Sequence, residues 1–546
     1  MENWWQQGVI YQIYPKSFQD TTGSGTGDIA GIISRLDYLA QLGVDAIWLT
    51  PMYVSPQVDN GYDIADYYAI DPSYGTLEDF EELVRQAHAR NIRIIMDMVF
   101  NHTSTQHQWF IEGQDPNSPY HDYYIWREQA NNWQSKFGGN AWQWNEKAQK
   151  YYLHLFAVEQ ADLNWENPQV REEIYKICNF WASKGVDGLR LDVINLISKD
   201  QSFANDEQGI GKRFYTDGPR IHEFLQELNQ RVLSPCKLMT VGEMSSTSLE
   251  NCQKYANLEG TELSMTFNFH HLKVDYPQGE KWTFAQPDFV ELKQIISYWQ
   301  QGMHNKAWNA TFWCNHDQPR VASRFGKEAY LKESAKLWGM ILHGLQGTPY
   351  IYQGEEIGMA NAGFTSIEQY RDVESLNMYK IMQEQGLEHD LIIAILGQKS
   401  RDNSRTPMQW NTQAHAGFTT GTPWLEVNKN YAEVNVEAAL ADRDSVFYLY
   451  QNLIKLRKTH PIFSLGDYQD LDPANPDVWS YKRTYQGKTL WVVANLGEQL
   501  QIVDLPEGLE HQDLDDYLLL NNLDWVNNTN EDTIYLQPYQ ALYYLF

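Results

Sequence analysis

The stretch Ile92–His102 reads IRIIMDMVFNH. It is a short apolar run of β type that closes on polar groups, Asp97, Asn101 and His102. Seven other runs share this form. They are GVIYQIYP (Gly8–Pro15), DAIWLTP (Asp45–Pro51), DGLRLDV (Asp187–Val193), LMTVGE (Leu238–Glu243), LSMTFNF (Leu263–Phe269), ATFWCNHD (Ala310–Asp317) and GTPYIYQG (Gly347–Gly354). Several of the intervening segments are helical in period. TLEDFEELVRQAHARN (Thr76–Asn91) opens on a threonine cap with acidic residues in its first turn, and NPQVREEIYKICNFWASKG (Asn167–Gly185) is another. Eight buried strands alternating with helices predict an α/β protein built on a (β/α)8 TIM barrel, whose strand C-termini carry the chemistry.

Two segments are too long to be simple connections. The expected organisation is a barrel over 1–102 and 171–463, with an inserted domain over 103–170 after strand three. A largely polar subdomain, 358–431, follows strand eight. SVFYLYQNLIKLRKTH (Ser445–His460) is expected to close the barrel. The pattern then turns to alternating strands, so 464–546 is expected to be a separate antiparallel β sandwich.

Net charge is −29 over 546 residues, which disfavours nucleic acid and anionic membranes as partners. The four cysteines, Cys178, Cys236, Cys252 and Cys314, have no metal-ligand spacing and suit a reducing compartment. No stretch approaches the roughly 20 apolar residues of a membrane span. The first residues, MENWWQQGVIYQIY, lack the charged-then-apolar pattern of an export signal. A cytoplasmic monomer is expected.

Charged groups stand at the strand ends. Arg190 and Asp192 end strand four, Glu243 ends strand five, and His316 and Asp317 end strand seven. In a barrel these ends ring one mouth. Three carboxylates with an arginine and two histidines there are costly unless used. No nucleophile elbow, phosphate-binding P-loop or HExxH motif is present. Several carboxylates around a pocket suit glycoside hydrolysis, in which one attacks the anomeric carbon and another protonates the leaving oxygen.

The motifs DMVFNH, GLRLDV, GE and NHD, in this order, resemble glycoside hydrolase family thirteen, the α-amylase family. QADLN (Gln160–Asn164) and SRDNSRTPMQW (Ser400–Trp410) resemble its α-glucosidase branch. The resemblance implies Asp192 as the nucleophile, Glu243 as the acid and then base, and Asp317 as stabiliser of the transition state. It implies His102, Arg190 and His316 as substrate-binding or orienting residues. It also implies that Asp63 (in GYD) and Arg401 seal an exo-acting site for one terminal glucose, with no cofactor needed for catalysis. Val193 is similar to the residue that follows the nucleophile in the branch cleaving linkages other than α-1,4.

Specificity must then come from the leaving-group side. The loop after strand six, FNFHHLKVDYPQGEKW (Phe267–Trp282), carries His270, His271, Lys273 and Lys281, and SKFGG carries Lys136. Relatives that cleave neutral sugars are more acidic in that loop. HHLKVDYP, SKFGG and YPKSFQDTTG resemble the subgroup that hydrolyses a phosphorylated disaccharide, trehalose 6-phosphate. His270 and Lys273, then Lys136 and Lys281, are the expected phosphate ligands. An oligo-1,6-glucosidase or sucrose isomerase is the alternative.

DTTGSGTGD (Asp20–Asp28) spaces Asp20, Thr22, Ser24, Thr26 and Asp28 like the start of a calcium loop, without the closing glutamate. Two readings stay open: a weakened Ca or Mg site, or a hydrogen-bonded turn.

Overall fold

A computed structural model describes residues 3–510, 513–524 and 532–546. The eight apolar runs form one parallel sheet. Its strands are β1 (Ile10–Ile13), β2 (Ala46–Leu49), β3 (Arg93–Met98), β4 (Gly188–Leu191), β5 (Met239–Glu243), β6 (Met265–Phe267), β7 (Ala310–Thr311) and β8 (Thr348–Tyr352). They run in the order β6-β5-β4-β3-β2-β1-β8-β7. A parallel bridge between Thr266 and Asn309 joins the two ends, so the sheet closes on itself. Side chains alternate across it. Ile10, Trp48, Ile95, Val241, Met265 and Tyr350 pack together. Their neighbours Tyr11, Ile47, Ile94, Met96 and Leu189 pack with residues of the surrounding helices.

The helices form where the sequence places them. In α1 (Leu77–His88), Thr76 accepts from Asp79 N while the Asp79 carboxylate returns to Thr76 N, and Phe80, Leu83, Val84 and Ala87 face inward. In α2 (Pro168–Ser183), Asn167 caps the start and a proline stands in the first turn. Helices α3 (Leu331–Gly344) and α4 (Val446–Thr459) cover the barrel beside β8.

Between β3 and β4, His102–Ser104 pairs antiparallel with Gln160–Asp162. A three-stranded antiparallel sheet of Trp126–Arg127, Lys150–Leu153 and Trp142–Asn145 lies between them in sequence. The segment after β8 is more ordered than its polar composition suggests. It holds helices Val373–Glu384 and His389–Lys399, packed through Met382, Ile392, Ile395 and Leu396. Past Gly466 come a five-stranded sheet and a two-stranded one, with Trp491, Val493, Ile534, Leu536 and Leu542 clustered together. The larger sheet rests on α3, where Tyr481 Oη donates to Ile341 O (2.8 Å) and Arg483 Nη1 to Gly344 O (2.5 Å). No helix among the described residues is long and apolar enough to cross a membrane.

Candidate active site

Arg190 organises the mouth. It stands next to last in β4, fully buried. Its Nη1 donates to Asp97 Oδ1 (2.9 Å) and to Asp192 Oδ1 (2.7 Å), and its Nη2 meets Glu243 Oε2. Strand periodicity explains the first pairing, since residues 190 and 192 share a face. Asp192 directly follows the strand, and the chain then turns sharply through Val193, whose φ of 37° is uncommon for a β-branched residue. Three carboxylates thus share one guanidinium. Burial raises Asp97 to about 6 and also raises Asp192, with Arg190 opposing in both cases. A cluster with more carboxylates than its cation balances keeps a proton near neutral pH.

The opposite wall is cationic. Burial works to raise Asp317, but the N–H of the adjacent His316 ring and the Arg401 and Arg405 guanidiniums hold it well below the usual carboxylate range. Arg405 Nη2 reaches Asp317 Oδ1 at 2.7 Å and Arg401 Nη1 lies 3.5 Å from it. Burial lowers His316 to about 3 and His102 to about 4, so both rings are neutral. Gln12 Nε2 donates to His316 Nδ1 (2.8 Å), leaving the ring's Nε2–H towards Asp317 Oδ2 at 3.3 Å. His102 Nε2 donates to Tyr62 O (3.1 Å).

At the inner end the structure corrects the sequence. Asp63 is fully buried, and its oxygens accept the backbone N–H of Val58 (2.8 Å) and Asp59 (3.0 Å). It braces the turn and does not meet Arg401. Asp59 does, at 3.2 Å, and it lines the pocket. Arg401 is fixed further by Asp372 at 2.7 Å. Tyr62 donates to Asp97 Oδ2 (2.8 Å) and lies parallel to the His316 ring at 5.3 Å, presenting an aromatic wall. Phe137 and Phe156 supply another, edge to face at 5.5 Å, with Arg401 over Phe137 at 5.2 Å. Sequence reading missed Asp59, Tyr62, Phe137, Phe156, Asp372 and Arg405. The segment DNGYD contained the signal for two of them.

The proposed phosphate ligands do not behave alike. His270 Nε2 donates to Thr247 O (3.0 Å), with its ring stacked on Trp299, and burial lowers its pKa. It is a neutral brace with its N–H already used. His271 is a second brace, buried and bonded to Phe312 O (2.8 Å). Lys281 lines the pocket, but its Nζ sits on the Glu374 carboxylate at 2.9 and 3.0 Å. Lys136 and Lys273 have no carboxylate partner among the described residues. Burial, then Lys212 and Lys273, lower Lys136 to about 7, with Glu243 opposing. Burial, then Lys212, lower Lys273. Lys212, which the sequence reading passed over, therefore stands in the same field. Its only sequence signal is GKRF following a glycine-rich turn.

In the 20–28 loop, Asp20 Oδ1 accepts from Thr22 N (2.9 Å), Thr22 Oγ1 (3.0 Å) and Gly23 N (3.1 Å). Its Oδ2 accepts from Gly25 N (2.8 Å) and Thr419 Oγ1 (2.5 Å). Asp28 caps the following helix through Gly31 N (2.7 Å), and Ser24 Oγ donates to Thr26 O (3.1 Å). These donors have closed on one another. As arranged, the set does not fit a divalent ion, which needs the same oxygens free and convergent.

A closed parallel barrel whose strand ends gather an aspartate and a glutamate on one arginine at a pocket suits a glycoside hydrolase. The alpha amylase catalytic-domain model matches residues 12–466, and the chain belongs to that family. Among curated relatives, it is 66% identical over 507 residues to the trehalose-6-phosphate hydrolase of Escherichia coli (strain K12), covering 92% of each chain. It is 55% identical to the enzyme of the same name from Bacillus subtilis (strain 168), covering 99% of this chain and 98% of the relative. The crystal structure of Bacillus licheniformis trehalose-6-phosphate hydrolase superposes with a TM-score of 0.95 at 52% identity, over all of both chains.

Proposed function

We propose that this enzyme hydrolyses α,α-trehalose 6-phosphate to glucose and glucose 6-phosphate. The unphosphorylated glucose occupies the sealed inner site, against Tyr62 and between Asp59, Arg401, His102 and His316. Asp192, held by Arg190, attacks its anomeric carbon. The C–O bond to the leaving sugar breaks as Glu243 passes its proton to that oxygen, and a covalent β-glucosyl ester forms on Asp192. Water, deprotonated by Glu243, then attacks the same carbon and frees Asp192, so the configuration is retained. Asp317 and the neutral histidines take hydrogen bonds from the sugar hydroxyls or donate to them, and Asp317 offsets the positive charge that develops on the ring. In the free enzyme Glu243 rests on Arg190.

The observation that carries the choice of substrate is the pair of ammonium groups, Lys136 and Lys273, that no carboxylate among the described residues balances in a chain of net charge −29. Lys136 stands in the field of Glu243, on the side where the leaving sugar must lie, and Lys273 stands in the field of Lys136. An oligo-1,6-glucosidase or sucrose isomerase offers nothing to neutralise them. The domain roles follow: the 103–170 insertion brings Lys136, Phe137 and Phe156 over the barrel, and 358–431 brings Glu374 and Arg401. The 20–28 loop is a hydrogen-bonded turn that takes no part in the chemistry. The four unpaired cysteines suit a monomer in the reducing cytoplasm.

Product analysis tests this reading. Purified enzyme is incubated separately with trehalose 6-phosphate, isomaltose and sucrose. Glucose 6-phosphate from the first, at a kcat/KM far above that for the other two, is the expected result. Preference for isomaltose, or isomerised sucrose, would replace it with the neutral alternative.

A further inference from the structure

We propose that Lys212 is a third phosphate ligand, so that three ammonium groups from three different loops, Lys136, Lys212 and Lys273, receive the phosphate monoester of the leaving sugar. This rests on the functional reading above. The segment Asn132–Lys136 of the insertion is docked onto the loop after β4. Gln134 N donates to Ile210 O (3.0 Å), Trp133 Nε1 to Ala204 O (2.9 Å) and Asn132 Nδ2 to Asp206 O (2.7 Å). Gly211 makes the approach possible: a Cβ there would stand 2.5 Å from the Trp133 ring, and its φ is +97°. The helical turn Lys212–Tyr215 begins at the next residue, and Lys136 Nζ sits 5.5 Å above the ring of Tyr215. The loops that carry Lys136 and Lys212 are therefore docked on each other.

Charge accounting separates these three from their neighbours. Buried Lys199 and Lys399 and half-buried Lys281 each rest on a carboxylate, at 2.8, 2.8 and 2.9 Å. Arg213, beside Lys212, is spent on Asp206 at 3.0 Å. Lys136, Lys212 and Lys273 have no such partner among the described residues, and each of the other two works against Lys136 holding its proton. Like charges held together are costly in the free protein and become favourable when a dianion enters between them. Lysine suits the task as a point charge on a flexible stem that can close on phosphate oxygens. Glu243, the residue that must touch the leaving oxygen, acts on Lys136 in the opposite sense and favours its charged form. The phosphate on the far end of that same sugar is the group the proposal places among the three lysines.

The test uses the full-length enzyme with Lys212→Ala, Lys212→Glu and Lys212→Arg, and Lys273→Ala for comparison. Each is assayed on trehalose 6-phosphate and on 4-nitrophenyl α-glucoside. The quantity read is the ratio of the two kcat/KM values, with thermal midpoints to confirm folding. Lys212 is exposed, so the variants should fold. The ratio should fall about tenfold in Lys212→Ala, fall further in Lys212→Glu and largely recover in Lys212→Arg, with the change carried by KM. Inhibition by glucose 6-phosphate, relative to that by glucose, should weaken in parallel. A ratio unchanged in Lys212→Glu, while Lys273→Ala lowers it, would overturn the assignment and leave the functional reading intact. Equal loss on both substrates in Lys212→Glu would also overturn it. If the unmodified enzyme releases no glucose 6-phosphate at all, the functional reading itself fails.

Discussion

Asp59 closes the inner end of the glucose site by meeting Arg401, whereas Asp63, four residues on, spends both oxygens on backbone N–H groups. The two therefore fail differently. Asp59→Asn should lower kcat/KM by about a hundredfold, equally on phosphorylated and neutral glucosides, because the contact is with the shared ring. Asp63→Asn should chiefly lower stability, by about 1–3 kcal/mol, since it loses an acceptor for a buried N–H. Equal catalytic loss without destabilisation in the second variant would reverse these roles. Both residues stand in DNGYD, and only the turn geometry decides which points inward: Asn60 and Gly61 have φ of 49° and 102°. Sequence spacing alone could not. Lys136 offers a second prediction at this scale. Burial, Lys212 and Lys273 lower it to about 7 against Glu243, so it is charged below that pH and neutral above. kcat/KM reports groups of the free enzyme, and a phosphate monoester is already mostly dianionic above about pH 6. The ratio of trehalose 6-phosphate to neutral-glucoside kcat/KM should thus fall about threefold or more between pH 6.5 and 8.5. Lys136→Met should flatten that fall. A ratio that rises over this range in the unmodified enzyme would contradict the assignment.

At the scale of elements, the strands explain why the catalytic ring was legible. Each of Asp97, Arg190 and Glu243 lies within a barrel strand, and Asp192 directly follows one, so apolar periodicity alone brings them to one mouth. The leaving-group side was less legible because loops build it. HHLK reads as a basic motif, yet its two histidines are neutral braces that hold Thr247 and Phe312 carbonyls. Lys212 becomes visible only through the docking of Asn132–Lys136 on the loop after β4. That docking can be tested directly. Gly211→Ala places a methyl group into Trp133 at a left-handed backbone position, a strain of about 1–3 kcal/mol. It should loosen the two segments together. The expected result is a several-fold drop in the preference for trehalose 6-phosphate, read as the same kcat/KM ratio. An unchanged preference would mean that the contact does not position the lysines.

For the whole molecule, charge and fold act together. A net −29 chain keeps anionic sugars away from most of its surface, and the proposed entry point is where three lysines have no carboxylate partner among the described residues. The barrel, its closure and the alternation of β and α were readable because burial on both faces leaves continuous apolar runs. The two helices after β8 were not, because neither carries a clear one-sided apolar stripe: Val373–Glu384 is largely polar, and the apolar residues of His389–Lys399 run consecutively around it. The account's central claim is retaining hydrolysis of trehalose 6-phosphate with Asp192 as nucleophile. The most direct measurement is proton NMR of that reaction in its first minutes, before mutarotation. The account predicts glucose and glucose 6-phosphate in equal amounts, with the new anomeric centre of the glucose appearing first as the α form. Glucose appearing first as the β form, or no glucose 6-phosphate from this substrate, would contradict it.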